Sequence, residues 1–396
     1  MLFVMAFGLS LNSGIIYVVA GGRAVINGLL LRLALVALFQ TFLSTVALVG
    51  LLQTPLASAL VPPEVERWGI IAIALLVLGN LLSGQHRSIL IGLQEIPRVN
   101  LINLYGQIII LGIIITIIGV VFVQGGRLTA DLLIWVQVSG ALGVVVLFSW
   151  GLKPWLTGSI RQESGLREVI TYSLPSYLAN MAQFLNYRLD IFFVGYFAGV
   201  TGVGLYSLAV GIAQLLWLVS GATSQVLFPD VAASTDRVSA QQRTARISRL
   251  SLWLSIILAG GVALSGNTLL PLVFGTAFEE SVPALMWLLP GVTIFSVANV
   301  IGSYLAGIGK PHLNLAVALI GLIATIIFDF ILIPWLGVVG AAIASSISYT
   351  TTTLAIVAIF TRETKITAEK VLIITIDDIY LIFSTIRKIL RNWHAS

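Results

Sequence analysis

The chain has 396 residues, 58% of them hydrophobic and only 9% charged, a balance that excludes ordinary soluble domains and makes lipid the solvent of the fold. With 16 Asp and Glu, 3 His and no Cys, the raw material for metal, thiol and most hydrolytic sites is scarce, so the expectation is no enzyme, no metal and no cofactor. The net charge of +5 sits on basic residues scattered between apolar runs, which points to orientation in a membrane and not to nucleic acid.

A helix needs about 20 apolar residues to cross a bilayer, because in hydrocarbon the backbone must satisfy its own hydrogen bonds. Eleven stretches qualify in chain order: 1–20, 33–52, 68–84, 101–123, 132–150, 169–197, 204–228, 250–274, 283–308, 313–332 and 337–360. The first lacks a basic leader and a small-residue cleavage site, so it reads as a span and not as a signal peptide. The division expected is an N-terminal lobe of five spans at 1–151, a charged cytoplasmic linker at 152–168, a C-terminal lobe of six spans at 169–360 and a tail at 361–396. Placing the connections alternately on two sides puts eighteen Lys and Arg on one side and two, Arg67 and Arg127, on the other, with Arg188 inside a span. The positive-inside rule makes the richer side cytoplasmic, with the C terminus inside and Met1 outside. In the tail, Ile379, Ile382, Phe383, Ile386, Ile389, Leu390 and Trp393 recur at helical spacing opposite Asp378, Arg387, Lys388 and Arg391, the pattern of a helix lying on the cytoplasmic surface.

An internal repeat runs through the spans. Ser88, Leu90, Gly92, Pro97, Asn100 and Leu101 recur as Ser303, Leu305, Gly307, Pro311, Asn314 and Leu315. The offset spans six helices, an even number, so the matched helices run the same way and the repeat is parallel, about an axis along the membrane normal. Carried backwards, the offset pairs the seventh span with the first and leaves the sixth without a mate. The simplest account is a twelve-helix plan of two six-helix bundles whose first helix is absent from this chain; a true eleven-span variant is the alternative.

Polar residues inside the spans mark the candidate pathway. At 100° per residue, Ser173, Ser176, Asn180, Gln183, Tyr187 and Asp190 fall within an arc of about 100° along the sixth span. Such groups must face protein or water; they can hydrogen-bond neighbouring helices or line a solvated cavity, and six in register favour the cavity. Arg188 lies about 200° from Asp190 around that helix, so the two form no simple in-helix pair. Arg188 is open to snorkelling, to pairing with a neighbour or to contact with a diphosphate, and Asp329 to structural bonding or to gating and ion coupling. Gln214 and Gln225 share a face of the seventh span. Pro175, Pro290 and Pro334 are candidate kinks. Arg87 and Arg98, beside His86, and the repeat-related Lys310, beside His312, form a basic cytoplasmic mouth or serve only to set topology.

The residues Arg188 and Asp190, Gly204-Leu205-Tyr206-Ser207, Phe228-Pro229, Gly309-Lys310-Pro311, Ile333-Pro334, Gly337 and Gly340-Ala341-Ala342-Ile343-Ala344 resemble a known pattern. It is that of the polysaccharide-biosynthesis, Wzx-type oligosaccharide flippases of the multidrug/oligosaccharidyl-lipid/polysaccharide (MOP, MATE-like) superfamily. The resemblance implies an all-α polytopic membrane protein with two lobes around a central cavity. It implies transport of an undecaprenyl-diphosphate-linked oligosaccharide to the outer leaflet of a bacterial cytoplasmic (inner) membrane by alternating access, for O-antigen, capsule or exopolysaccharide. Implied partners are the lipid-linked substrate, membrane lipids, and the polysaccharide polymerase and chain-length machinery. Rival readings are a MATE-type drug or cation antiporter, a peptidoglycan-precursor flippase, and a nonfunctional fragment or scaffold. A membrane polymerase would need a large charged outer loop, and the longest outer connection, 53–67, is mostly apolar.

Overall fold

A computed structural model of the chain describes residues 8–54, 67–123, 130–156, 165–378 and 380, and among them every regular element is a helix. In chain order these are α1 (Leu11–Ala20), α2 (Ile26–Leu52), α3 (Arg67–Gly92), α4 (Ile96–Val123), α5 (Ala130–Leu152), α6 (Leu166–Asn186), α7 (Leu189–Gln214), α8 (Trp217–Ala233), α9 (Arg237–Phe274), α10 (Ser281–Gly307), α11 (Pro311–Thr364) and the short α12 (Ala368–Leu372). Among the described residues, eight helical stretches are long and apolar enough to cross a membrane, and two of them, Leu166–Gln214 and Pro311–Thr364, run to 49 and 54 residues. The protein is a multi-pass membrane protein. The beginning of the first predicted span, most of the 53–67 connection, Arg127, Arg161 and the amphipathic tail with Arg387, Lys388 and Arg391 lie outside the described residues.

Two of the long elements are hairpins. In α7, Gly199 takes φ 70°, ψ −175°, a conformation only glycine adopts without strain. Asp190 and Tyr206 then meet at 2.5 Å, although 16 positions of unbroken helix would part them by about 24 Å. In α11, Gly337 takes φ 56°, ψ −130°, and Thr325 donates to Ser348 at 2.8 Å across 23 positions. The chain therefore doubles back at both glycines, where the sequence also separates its spans. Pro175 and Pro290, two of the predicted kinks, lie inside continuous helices; Pro334 is followed by a reversal, at Gly337. One expected span proves discontinuous. The stretch 169–197 breaks at Tyr187 and Arg188, where Tyr187 N–H bonds both Gln183 and Phe184 carbonyls and α7 starts afresh at Leu189.

The repeat is visible as two copies of one turn. At the end of α3, Gln94 N–H bonds the Ile91 carbonyl and Glu95 N–H the Leu90 carbonyl; at the end of α10, Gly309 N–H bonds Ala306 and Lys310 N–H bonds Leu305. Each is a left-handed helix cap followed by a proline-bearing helix start. A methyl group on Gly92 would sit 2.8 Å from Val19 Cβ, and one on Gly307 2.7 Å from Val231 Cβ, so both glycines admit the same close helix contact. The two turns differ in one respect: Gln94 occupies the left-handed position at φ 61°, where the second copy has Gly309 at φ 81°. Gln94→Gly should therefore raise stability by about 1 kcal/mol, and Gly309→Gln lower it by a similar amount. Melting temperatures of the detergent-purified variants check this, and shifts of the same sign would refute it.

The chain divides into two compact units, residues 1–177 and 178–396, with the boundary inside α6. In the first, α3 packs against α1, α2 and α5, and the core gathers Ile15, Val18, Leu29, Leu33, Ile89, Leu90 and Phe148. Arg23 lies 4.4 Å over the Tyr17 ring and pairs with Glu168 at 2.9 Å. In the second, α10 is the centre, buried along most of its length, whereas α4 in the first unit is exposed or half-buried along nearly all of its length. The connection before the eighth predicted span is itself helical, because Asp236 caps α9 by accepting from Ser239 N–H at 3.1 Å and the helix runs unbroken to Phe274.

Candidate functional site

The helix break at Tyr187–Arg188 puts Asp190 in the first turn of a new helix, where its Oδ1 accepts from Ile191 N–H at 2.8 Å and its charge meets the positive end of the helix dipole. The reversal at Gly199 brings Tyr206 back over it. Tyr206 donates to Asp190 Oδ2 at 2.5 Å and lies 2.9 Å from Ser345 Oγ, and Ser345 donates to the same oxygen at 3.2 Å. Asp190 is 1% exposed and Tyr206 fully buried. A second polar group adjoins on α6 and α11. Asn186 Oδ1 lies within hydrogen-bond reach of the Thr325 hydroxyl and 3.1 Å from the Ser348 hydroxyl, which is also 2.9 Å from the Gly321 carbonyl oxygen.

One turn beyond Thr325 stands Asp329. It is fully buried, and neither carboxylate oxygen has a hydrogen-bond partner among the described residues. A buried charge without a donor costs several kcal/mol, so this carboxylate is stable only when a proton or a cation answers it. Beside the polar core lies an aromatic group: the Tyr187 and Trp217 rings are 5.1 Å apart, and both contact Phe295 and Tyr349. Polar core and aromatics all belong to the C-terminal unit.

The structure distributes the predicted pathway residues unevenly. Asp190, Asp329 and Tyr187 meet in this region, whereas Asn180 and Arg188 are exposed and Gln214 is half-buried. Gln183 and Gln225 are half-buried, and the Nε2 of each has no hydrogen-bond partner among the described residues. The continuous stripe needs correction. Its 100° register ends at the Tyr187–Arg188 break, so Asp190 belongs to the next helix, and Ser173 lies where α6 touches Gly14 of α1. At the expected mouth, Arg87 is exposed, Arg98 lies 4.8 Å over the Trp155 ring, and Lys310 pairs with Glu363.

Tyr206, Ser345, Asn186, Thr325 and Ser348 were not among the predicted pathway residues. A signal for two of them exists: 345–353 carries eight hydroxyl side chains in an otherwise apolar run, a polar face that lipid would not tolerate.

The structure is similar in fold to solved membrane-protein structures. The outward-facing form of a multidrug resistance MATE family transporter of the MOP superfamily matches with a TM-score of 0.74 at 14% identity, over 92% of this chain and 85% of the other. A MOP superfamily transporter from Pyrococcus furiosus matches with a TM-score of 0.71 at 14% identity, over 92% and 84%. The fold is thus an all-α, MATE/MOP-like bundle. The chain belongs to the polysaccharide biosynthesis protein family, whose model matches residues 35–283. Among similar curated proteins, the "Probable low-salt glycan biosynthesis flippase Agl15" of Haloferax volcanii is 28% identical over 60% of this chain and 50% of its own length. The "Probable flippase AglR" of the same organism is 26% identical over 67% and 56%. The "Capsular polysaccharide biosynthesis protein CapF" of Staphylococcus aureus is 21% identical over 54% and 56%. The chain spans about half the length of these relatives.

Proposed function

We propose that the protein moves a polyprenyl-diphosphate-linked oligosaccharide from the cytoplasmic to the outer leaflet of the cytoplasmic membrane by alternating access, for surface polysaccharide or glycan assembly. Family membership and relatives named as glycan flippases support the cargo class. Unaided passage of a diphosphate and sugars through hydrocarbon is prohibitive, so the polar head needs a polar route while the prenyl chain stays in lipid. Asn180, Gln183, Tyr187, Arg188, Asp190, Gln214 and Gln225 would serve that route, with Arg87, Arg98 and Lys310 drawing the anionic head to the cytoplasmic mouth. Counting each arm of the two hairpins as a crossing turns the eight stretches into ten, and α1 would add the eleventh, with the C terminus inside. The lobes would be 1–151 and 169–360, joined by the linker 152–168, and glycan polymerase and chain-length proteins would act on the product.

The observation that carries the reading is Asp329: a fully buried carboxylate without a partner, in a polar core that also holds Asp190, beside two glycine reversals. In a lipid-solvated bundle such a group persists because it works. We assign it the exchange of a proton or small cation that drives the cycle. Asp329→Asn removes the charge at nearly constant volume, and should cut surface polysaccharide at least tenfold, as expected of a group acting in every cycle. Lipid-linked precursor should remain on the cytoplasmic face, with protein abundance unchanged. Normal export by this variant would refute the role.

A further inference from the structure

The C-terminal unit carries a second, two-part site that transport leaves unused. α9 has 38 residues, about 57 Å of helix, against a hydrocarbon thickness of about 30 Å, so one end stands clear of the apolar layer. The charged end is the first: Arg243, Arg246 and Arg249 recur at three-residue spacing along one face. The chain that follows α11 is strapped across them. Arg249 donates to the Lys370 carbonyl and, at 2.5 Å, to Asp378, which also accepts from Arg246 Nε at 3.1 Å, while Trp253 Nε1 bonds the Leu372 carbonyl at 3.0 Å. Burial alone would raise the Asp378 carboxyl, but hydrogen bonds from Arg249 and Thr375 hold it well below the usual carboxylate range. It is charged at neutral pH, and its contribution to the strap is lost only in strong acid.

Strap and helix enclose a polar pocket of about 340 Å³, lined by all three arginines and by Asp377 and Asp378. Arg243 is answered by Asp230 at 2.9 Å from outside the pocket, so the local charges balance. Arg246 uses only its Nε, which leaves its terminal amino groups without a hydrogen bond among the described residues, and Asp377 is exposed at the rim. One turn further along α9 a groove of about 570 Å³ begins at Leu252 and Leu372. It is open because Ala259, Gly260 and Ala263 give α9 a low wall opposite Pro290 of α10. From Leu252 to Ala263 it runs about 16 Å, half the hydrocarbon thickness and hence one leaflet.

We propose that pocket and groove together bind one membrane phospholipid with a zwitterionic, primary-ammonium headgroup, its phosphate on Arg246, its ammonium on Asp377 and one hydrocarbon chain along α9. The order of polar pocket and apolar groove matches an amphiphile lying in one leaflet. A guanidinium with free terminal nitrogens suits a phosphate, and the exposed carboxylate in a charge-balanced pocket suits an ammonium better than a second anion. The groove's one-leaflet length suits an acyl-length chain.

The test uses the purified full-length protein in detergent, titrated with phosphatidylethanolamine, phosphatidylglycerol or undecaprenyl phosphate, with bound lipid counted by native mass spectrometry. Phosphatidylethanolamine should bind in preference to phosphatidylglycerol. Arg246→Gln, losing a charge-assisted bond, and Ala263→Leu, filling the groove, should each weaken it about tenfold, and Asp377→Asn should erase the preference between headgroups. Melting temperatures identify any variant that has lost its fold; Arg249 still anchors Asp378 in Arg246→Gln, and Ala263→Leu leaves the strap untouched. Preference for phosphatidylglycerol, stronger binding of undecaprenyl phosphate displaced by Ala263→Leu, or binding indifferent to all three substitutions would each overturn the proposal. The measurement involves no transport, so its outcome is separate from that of the flippase reading.

Discussion

Gly291→Val should abolish recovery of folded protein, while Gly261→Ala should be recovered at wild-type level. Gly291 lies where α10, the most buried helix, crosses the second arm of α11. Its N–H donates to Ser346 Oγ at 3.3 Å, and that hydroxyl in turn donates to the Trp287 carbonyl and contacts the Leu288 carbonyl at 3.3 Å. A Cβ at position 291 would overlap Ser346 Cα and lie 2.7 Å from its Oγ. The obstacle is backbone, so no rotamer change relieves it, and overpacking costs above the usual range of about 1–3 kcal/mol are expected. Both helices would have to part, which opens the core around Leu288, Val292, Ala341 and Ala342. At Gly261 nothing lies within 4 Å of the added methyl group, and alanine favours the helix by about 0.5–1 kcal/mol. The yield of monodisperse protein after mild detergent extraction measures both, and normal yield of Gly291→Val would show that the crossing is looser than its geometry.

Asp190→Ala should destabilise the C-terminal unit by about 3 kcal/mol, because it empties a buried site and leaves the Tyr206 and Ser345 hydroxyls with only each other, so that one of the two donors loses its acceptor. Asp190→Asn keeps an acceptor of the same shape and should cost well under half of that. Tyr206→Phe removes one donor while Ser345 and Ile191 N–H still serve the carboxylate, so its cost is intermediate. With Tyr206 already Phe, Asp190→Ala should cost about 1 kcal/mol less than in the wild type, since one of the two hydroxyls is gone. Thermal melting of the four proteins gives the coupling, and strictly additive losses would mean that the 2.5 Å contact carries no energy of its own. Helical periodicity alone makes Asp190 a wall residue whose loss spares the fold. Its burial and its three donors make it a structural member of the core as well, so export by Asp190→Ala must be read against protein stability.

The residue sequence by itself determined the solvent, the helical class and where the chain turns. Nearly continuous apolar runs leave the backbone no partner but itself, and helices follow; the glycines at 199 and 337 interrupt those runs, and the chain reverses there. The duplicated turn at Gly92–Glu95 and Gly307–Lys310 was legible too, because a left-handed cap followed by a proline is written in neighbouring residues. Which polar side chains share one site was decided only by the tertiary structure. A periodicity argument holds only while the helix is unbroken, and the register that Asn180 and Gln183 share ends at the Tyr187–Arg188 break, before Asp190. The partners of Asp190 come from Tyr206, across a reversal, and from Ser345, 155 positions away, and Asn186 meets Ser348 across 162. Hydrogen bonds over such separations depend on how hairpins pack. In an apolar chain with few polar groups, packing decides which of them are satisfied and which, like Asp329, are left with none.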